Sequence, residues 1–152
     1  MSELKLALVG APNSGKTTLF NGLTGGVAKT ANYAGVTVET MNGRFSTPSG
    51  AQIDLVDLPG IYGLEAQSID ERVAIDAITG KLEGETQPDA MLVVIDAAHL
   101  RTHLHTVLQF KTLGRPMIVA LNMIDLAERD GVKLDIAALE AKLGVPVVAT
   151  RA

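Results

Sequence analysis

Cysteine is absent from the 152 residues, and with it go disulfide frameworks and thiolate metal sites, a pattern that fits a reducing compartment. No apolar run approaches the roughly 20 residues that a membrane-crossing helix needs, and Met1-Ser2-Glu3 has neither the basic region nor the apolar core of a secretory leader. The chain therefore reads as a soluble piece. Basic residues are few and dispersed, 13 Lys and Arg against 17 Asp and Glu, and the formal charge of −4 argues against a nucleic-acid surface. There is no internal repeat, and the loop-rich tracts are confined to 24–35, 46–50, 59–67 and 80–88. What is present is 47% hydrophobic and 20% charged. That suits one domain, able to bury about two thirds of the surface its unfolded chain exposes.

Apolar runs predict strands at Leu4–Val9, Glu39–Phe45, Gln52–Asp57, Met91–Asp96, Met117–Asn122 and Val145–Ala149. They alternate with helical patterns at Lys16–Thr24, Ile69–Thr79, Leu100–Leu113 and Ile136–Leu143. The alternation predicts an α/β fold, a doubly wound and mostly parallel six-stranded sheet with one antiparallel edge strand and helices on both faces. Met91–Ile95 and Met117–Leu121 are continuously apolar, as strands buried on both faces require, whereas the more polar Val38–Phe45 suits the antiparallel edge.

The stretch Gly10-Ala-Pro-Asn-Ser-Gly-Lys-Thr-Thr18 lies between the first strand and the first helix. Its spacing fits G-x-x-x-x-G-K-S/T, a loop whose backbone N–H groups converge on phosphate oxygens at a helix N-terminus. Asn13, Ser14, Gly15, Lys16, Thr17 and Thr18 are the candidate phosphate ligands. Lys16 would add charge near the β- and γ-phosphates, and the Thr17 hydroxyl would ligate Mg²⁺. Without further context the same residues make an ordinary glycine-rich turn.

Context comes from three more segments. Asp57-Leu58-Pro59-Gly60 ends a predicted strand, so that Asp57 can reach the metal shell through water and the Gly60 N–H can approach a γ-phosphate. In isolation it is a common turn. Asn122-Met123-Ile124-Asp125 ends another strand. The Asp125 carboxylate can accept from guanine N1–H and its exocyclic amine together, and adenine offers no such pair of donors. A helix cap is the plainer reading of that tetrad. Thr37 falls where a loop becomes a strand. Its hydroxyl would ligate Mg²⁺ and its N–H the γ-phosphate, ordering the loop in the triphosphate state, or it simply favours the strand. Lys16, Thr37 and Gly60 are thus the candidate catalytic groups, and Thr17, Thr37 and Asp57 the candidate Mg²⁺ site. All the motifs lie at carboxyl ends of strands or in the loops after them, where open α/β sheets bind ligands.

In that order these motifs resemble a Ras-like P-loop GTPase. The loop with Leu19-Phe20-Asn21 after it, Asn32-Tyr33-Ala34-Gly35-Val36-Thr37-Val38-Glu39, Asp57-Leu58-Pro59-Gly60-Ile61-Tyr62 and Ala120-Leu121-Asn122-Met123-Ile124-Asp125 together resemble the N-terminal G domain of the ferrous iron transport protein B family, over essentially the whole chain. The resemblance implies GTP and GDP as ligands, Mg²⁺, and K⁺ held by Asn13 with carbonyls around Tyr33 to Gly35. The plainer role for Asn13 is to help the loop turn. It implies that Asn122, Met123, Asp125, Thr150 and Arg151 hold the guanine base, the last two from a loop of the type S-A-K/L at which the chain stops. It also implies helical and transmembrane domains of the same longer protein, carrying Fe²⁺ at the cytoplasmic face of a bacterial inner membrane. Neither lies within these residues, and a homo-oligomer is compatible with the sequence.

Two departures matter. Ile61 stands where Ras-type enzymes carry a water-orienting glutamine, and no motif places an arginine finger, a lack that can cost about 10³ to 10⁵ in rate. Hydrolysis is therefore expected to be slow, stimulated by K⁺, and to gate or power iron uptake. The alternative is a nucleotide sensor in which GTP/GDP exchange carries the signal. A GTPase acting on ribosomes or tRNA would need a basic appendage that is lacking. His99 and His103, with His105 nearby, are read as exposed helix residues rather than a metal site, and Glu65, Asp70 and Glu71 as a solvated face and helix start.

Overall fold

The computed structural model describes residues 3–11, 14–32, 39–61, 63–81, 86–122, 128–129, 131 and 135–150. Seven strands form one sheet: β1 (Glu3–Gly10), β2 (Lys29–Asn32), β3 (Glu39–Ser46), β4 (Gln52–Asp57), β5 (Ala90–Asp96), β6 (Met117–Asn122) and β7 (Val147–Ala149). Among the described residues the helices α1 (Lys16–Thr24), α2 (Ile69–Thr79), α3 (Leu100–Lys111) and α4 (Ile136–Leu143) accompany them. The order across the sheet is β2-β3-β4-β1-β5-β6-β7. Pairing is parallel from β4 through β7 and antiparallel at β2–β3 and β3–β4.

The sheet has one strand more than the six expected. Lys29–Asn32 lies in the tract read as loop and pairs outside β3, so the antiparallel edge is a two-stranded ribbon. At the far edge β7 begins at Val147 rather than Val145, because Pro146 has no N–H and its carbonyl instead accepts from Val119.

Period-2 alternation sorts the two faces. Ala7, Val9, Val56, Met91, Val93, Ile95, Val119 and Leu121 point toward α2, α3 and α4, where Ala74, Ile78, Val107, Phe110 and Leu143 complete the larger core. Leu8, Leu55, Val94 and Ala120 point the other way, toward Phe20 on α1. Helices thus cover both faces, as the apolar runs of β5 and β6 demand.

Local sequence sets the helix limits. Ser68 caps α2 by accepting from the Glu71 N–H, and Asp135 caps α4 by accepting from Ala138. Both helices end at a glycine in the left-handed region, Gly80 and Gly144. Between β5 and α3 sits a 3₁₀ turn, Ala97–His99, capped by Asp96.

The chain leaves β1 toward the α1 face and returns to β4, whereas it leaves β5 toward the α3 face and continues to β6. Neighbouring strands whose connections diverge open a crevice at their carboxyl ends. Gly10 and Val94 meet there, and the backbones come so close that a Cβ on Gly10 would stand 2.6 Å from the Val94 carbonyl oxygen. The first glycine of the loop motif therefore answers to strand packing.

Candidate functional site

The loop at the crevice runs from Gly10 into α1, with Pro12 and Asn13 outside the described residues. Gly15 adopts φ 87°, a left-handed conformation that a Cβ would strain, and precedes the first helical residue. The helical ladder starts with Leu19 N–H donating to the Gly15 carbonyl (3.0 Å). The N–H groups of Lys16, Thr17 and Thr18 hence lie ahead of it, at the positive end of the helix dipole, and no acidic side chain sits in that first turn. Thr17 and Thr18 are exposed, Lys16 is half-buried and Ser14 is buried.

The Lys16 ammonium contacts the Asp57 carboxylate and donates to the Leu58 carbonyl (2.7 Å). Burial pushes the Asp57 carboxyl above its ordinary range, and the adjacent Lys16 charge opposes that shift. The end of β4 is thereby joined to the start of α1. Gly60 follows, and the Ile61 N–H donates to the Gly10 carbonyl (2.9 Å), which ties the segment after Asp57 to the loop. The Ile61 side chain is wholly buried in the larger core.

From β6, the fully buried Asn122 reaches two other loops. Its Nδ2 donates to the Ser14 carbonyl (3.0 Å), and its Oδ1 accepts from the Thr150 hydroxyl (2.8 Å). The Thr150 N–H in turn donates to the Leu121 carbonyl (2.8 Å). The sequence placed Asn122 and Thr150 among base-contacting groups. Their observed bonds are to each other and to the loop, a bracing role that no spacing between motifs reveals. Thr37, Met123, Asp125 and Arg151 lie outside the described residues.

The geometry therefore joins the G-x-x-x-x-G-K-T loop, the D-x-x-G segment and the N-x-x-D strand end at one rim. Residues 4–152 match the sequence model of ferrous iron transport protein B. The chain belongs to this family. The Fe(2+) transporter FeoB of Escherichia coli (strain K12) is 47% identical over 152 residues, covering 97% of the chain and 19% of that protein. The chain thus spans about a fifth of the length of the curated relatives it matches. Among solved structures, the FeoB G-domain of Methanococcus jannaschii is 38% identical with a TM-score of 0.82, covering 99% of this chain and 87% of that one. The cytosolic domain of T. maritima FeoB in a GDP form is 39% identical with a TM-score of 0.90, covering 99% and 57%. The fold is accordingly that of a FeoB G domain, a Ras-like P-loop GTPase fold. Among the described residues no helix is long and apolar enough to cross a membrane.

The histidines occupy the same end of the sheet. His103 is half-buried rather than exposed, and its Nδ1 accepts from the Asp96 N–H (3.0 Å). Asp96 Oδ1 caps Ala98, and its Oδ2 pairs with His99 Nδ1 (2.8 Å). The Asp96 carboxylate is thus engaged within its own turn. Burial lowers the His103 pKa, and the opposing pull of Asp96 is the smaller effect.

Two outcomes are expected. Asn122→Ala leaves the buried Ser14 carbonyl and the Thr150 hydroxyl without partners, and should lower stability by about 2–4 kcal/mol, read as a shift of the urea midpoint. A loss below about 0.5 kcal/mol would remove the bracing role. For His103, the folded state favours the neutral ring, so the unfolded chain binds more protons just below the ordinary histidine pKa of about 6.5. Stability should be complete above that pH and fall as pH drops through it, and His103→Asn should flatten the slope in urea titrations between about pH 7.5 and 5.

Proposed function

We propose that the chain is the GTP-binding and GTP-hydrolysing switch domain of a longer membrane protein that takes up ferrous iron across the bacterial inner membrane. Its helical and transmembrane domains would follow in the same protein. The observation that supports this reading is the Asn122 bracket, which ties the glycine-rich loop after β1 to Thr150 after β7 at one rim.

In this reading the N–H groups of residues 14–18 hold the phosphates, and Lys16 moves its charge from the Asp57 carboxylate to the β- and γ-phosphate oxygens. Thr17 and Asp57 fit Mg²⁺, because both offer hard oxygen donors and the Lys16–Asp57 contact holds their elements together. Thr17, Thr37 and, through water, Asp57 would hold the ion, which neutralises phosphate charge when bound. Asp125, together with Met123 and Arg151, would select guanine. The Gly60 N–H, fixed by its neighbour Ile61, meets the γ-phosphate.

Turnover is slow in this account because the Ile61 side chain is packed in the core, where it orients no water. The same burial supports the second reading, in which exchange of GTP for GDP carries the signal. Asn13 with K⁺ would supply the missing positive charge where it develops in the transition state. The readings separate in single-turnover GTP hydrolysis with Mg²⁺, in KCl against NaCl at matched ionic strength. Stimulation by K⁺ of roughly 10- to 100-fold, lost in Asn13→Ala, is the expected result. Equal rates in the two salts with GTP bound would discard the cation role and leave the sensor.

A further inference from the structure

The segment after Gly60 is anchored twice. Its first anchor is the Ile61 N–H on the Gly10 carbonyl, described above. The second comes from α3: the Leu64 N–H donates to Gln109 Oε1 (2.9 Å), across 45 residues of sequence. The Gln109 amide is itself oriented, since its Nε2 lies 2.9 Å from His105 Nε2, one turn earlier on the same helix. An amide nitrogen can only donate, so His105 Nε2 accepts; the reversed amide would set NH₂ against the Leu64 N–H. A third observation points to the same atom. A Cβ on Gly63 would meet Gln109 Oε1, and Gly63 has no left-handed φ, so a larger residue there would push the amide aside rather than strain the backbone. With the Ile61 side chain buried, what Gly60 and Ile61 can present to a γ-phosphate or its attacking water is backbone, and its position becomes the quantity to be controlled.

We propose that Gln109, oriented by His105 and admitted by Gly63, is a positioning residue that pins residues 63–64 to α3 and thereby sets the Gly60–Ile61 backbone for GTP hydrolysis. The proposal rests on the functional reading above. The two anchors are three residues apart, a reach of about 10 Å at most. Displacements on the order of 1 Å can cost about 10²-fold in rate. GDP does not reach Gly60, so its binding should not depend on the latch.

The test uses the 152-residue chain with Gln109→Ala, Gly63→Ala, the double variant and Gln109→Glu, which keeps an acceptor oxygen at the same reach. Gln109→Ala should slow single-turnover GTP hydrolysis about 10- to 100-fold with GDP affinity unchanged, and should speed hydrogen exchange at the Leu64 amide. Gly63→Ala displaces the same oxygen, so it should give the same defect, and the double variant should be no worse than either single one. Gln109→Glu should restore most of the rate. A Gln109→Ala chain with wild-type rate, defects that multiply in the double variant, or a Glu variant as slow as Ala would each overturn the latch while leaving the functional reading in place. A wild-type chain that neither binds nor hydrolyses GTP would overturn both.

Discussion

A single buried carboxamide holds the rim together. Asn122 ends β6, yet its side chain satisfies a carbonyl in the loop after β1 and a hydroxyl in the loop after β7. In a dry interior each of these groups would be costly to leave unpaired. The bracket therefore fixes the loop after β1 and the residue after β7 relative to one another. Preorganisation of that kind lowers the ordering cost of binding. It is available only because five parallel strands, β4, β1, β5, β6 and β7, bring their carboxyl ends to the same edge of the sheet.

Charge is arranged around that bracket. Lys16 is the cation nearest the helix start, and Asp57 is held partly buried against it, so that each offsets the desolvation of the other. Asp96, at the end of β5, is used up by its own turn and by His99. Two backbone N–H groups then place the remaining segment, Ile61 donating to the Gly10 carbonyl and Leu64 to the Gln109 side chain. The rim is thus built mainly of backbone groups steered by a few side chains. A buried isoleucine at position 61 is compatible with such a rim, because the side chain serves the core and the backbone serves the site.

Much of this was legible in the sequence, for stated reasons. Continuous apolar runs mark β5 and β6, and Gly15, Ser68, Gly80 and Gly144 punctuate the helices at the expected residues. Gly10, Asp57 and Asn122 end β1, β4 and β6, as the motif positions predict. β2 was not legible: Lys29-Thr30-Ala31-Asn32 has no apolar alternation, and its extended form comes from pairing with β3 rather than from its own side chains. His103 was read as exposed because periodicity alone does not tell which side of α3 faces Asp96. The second roles of Asn122 and Gln109 depend on contacts 108 and 45 residues away, and no local pattern encodes those distances. A hint was present at Gly63, a glycine outside any motif, whose reason is a side chain on another helix.

This rim is expected to accept a guanine nucleotide and to reject adenine. The direct measurement is the thermal unfolding midpoint of the chain with MgCl₂ and matched, saturating GDP or ADP. Binding at about a hundred times Kd stabilises by about 2.7 kcal/mol, so GDP should raise the midpoint by roughly 5–10 °C for a chain of this size and ADP should leave it where it was. Equal shifts with both nucleotides, or no shift with GDP, would contradict the account.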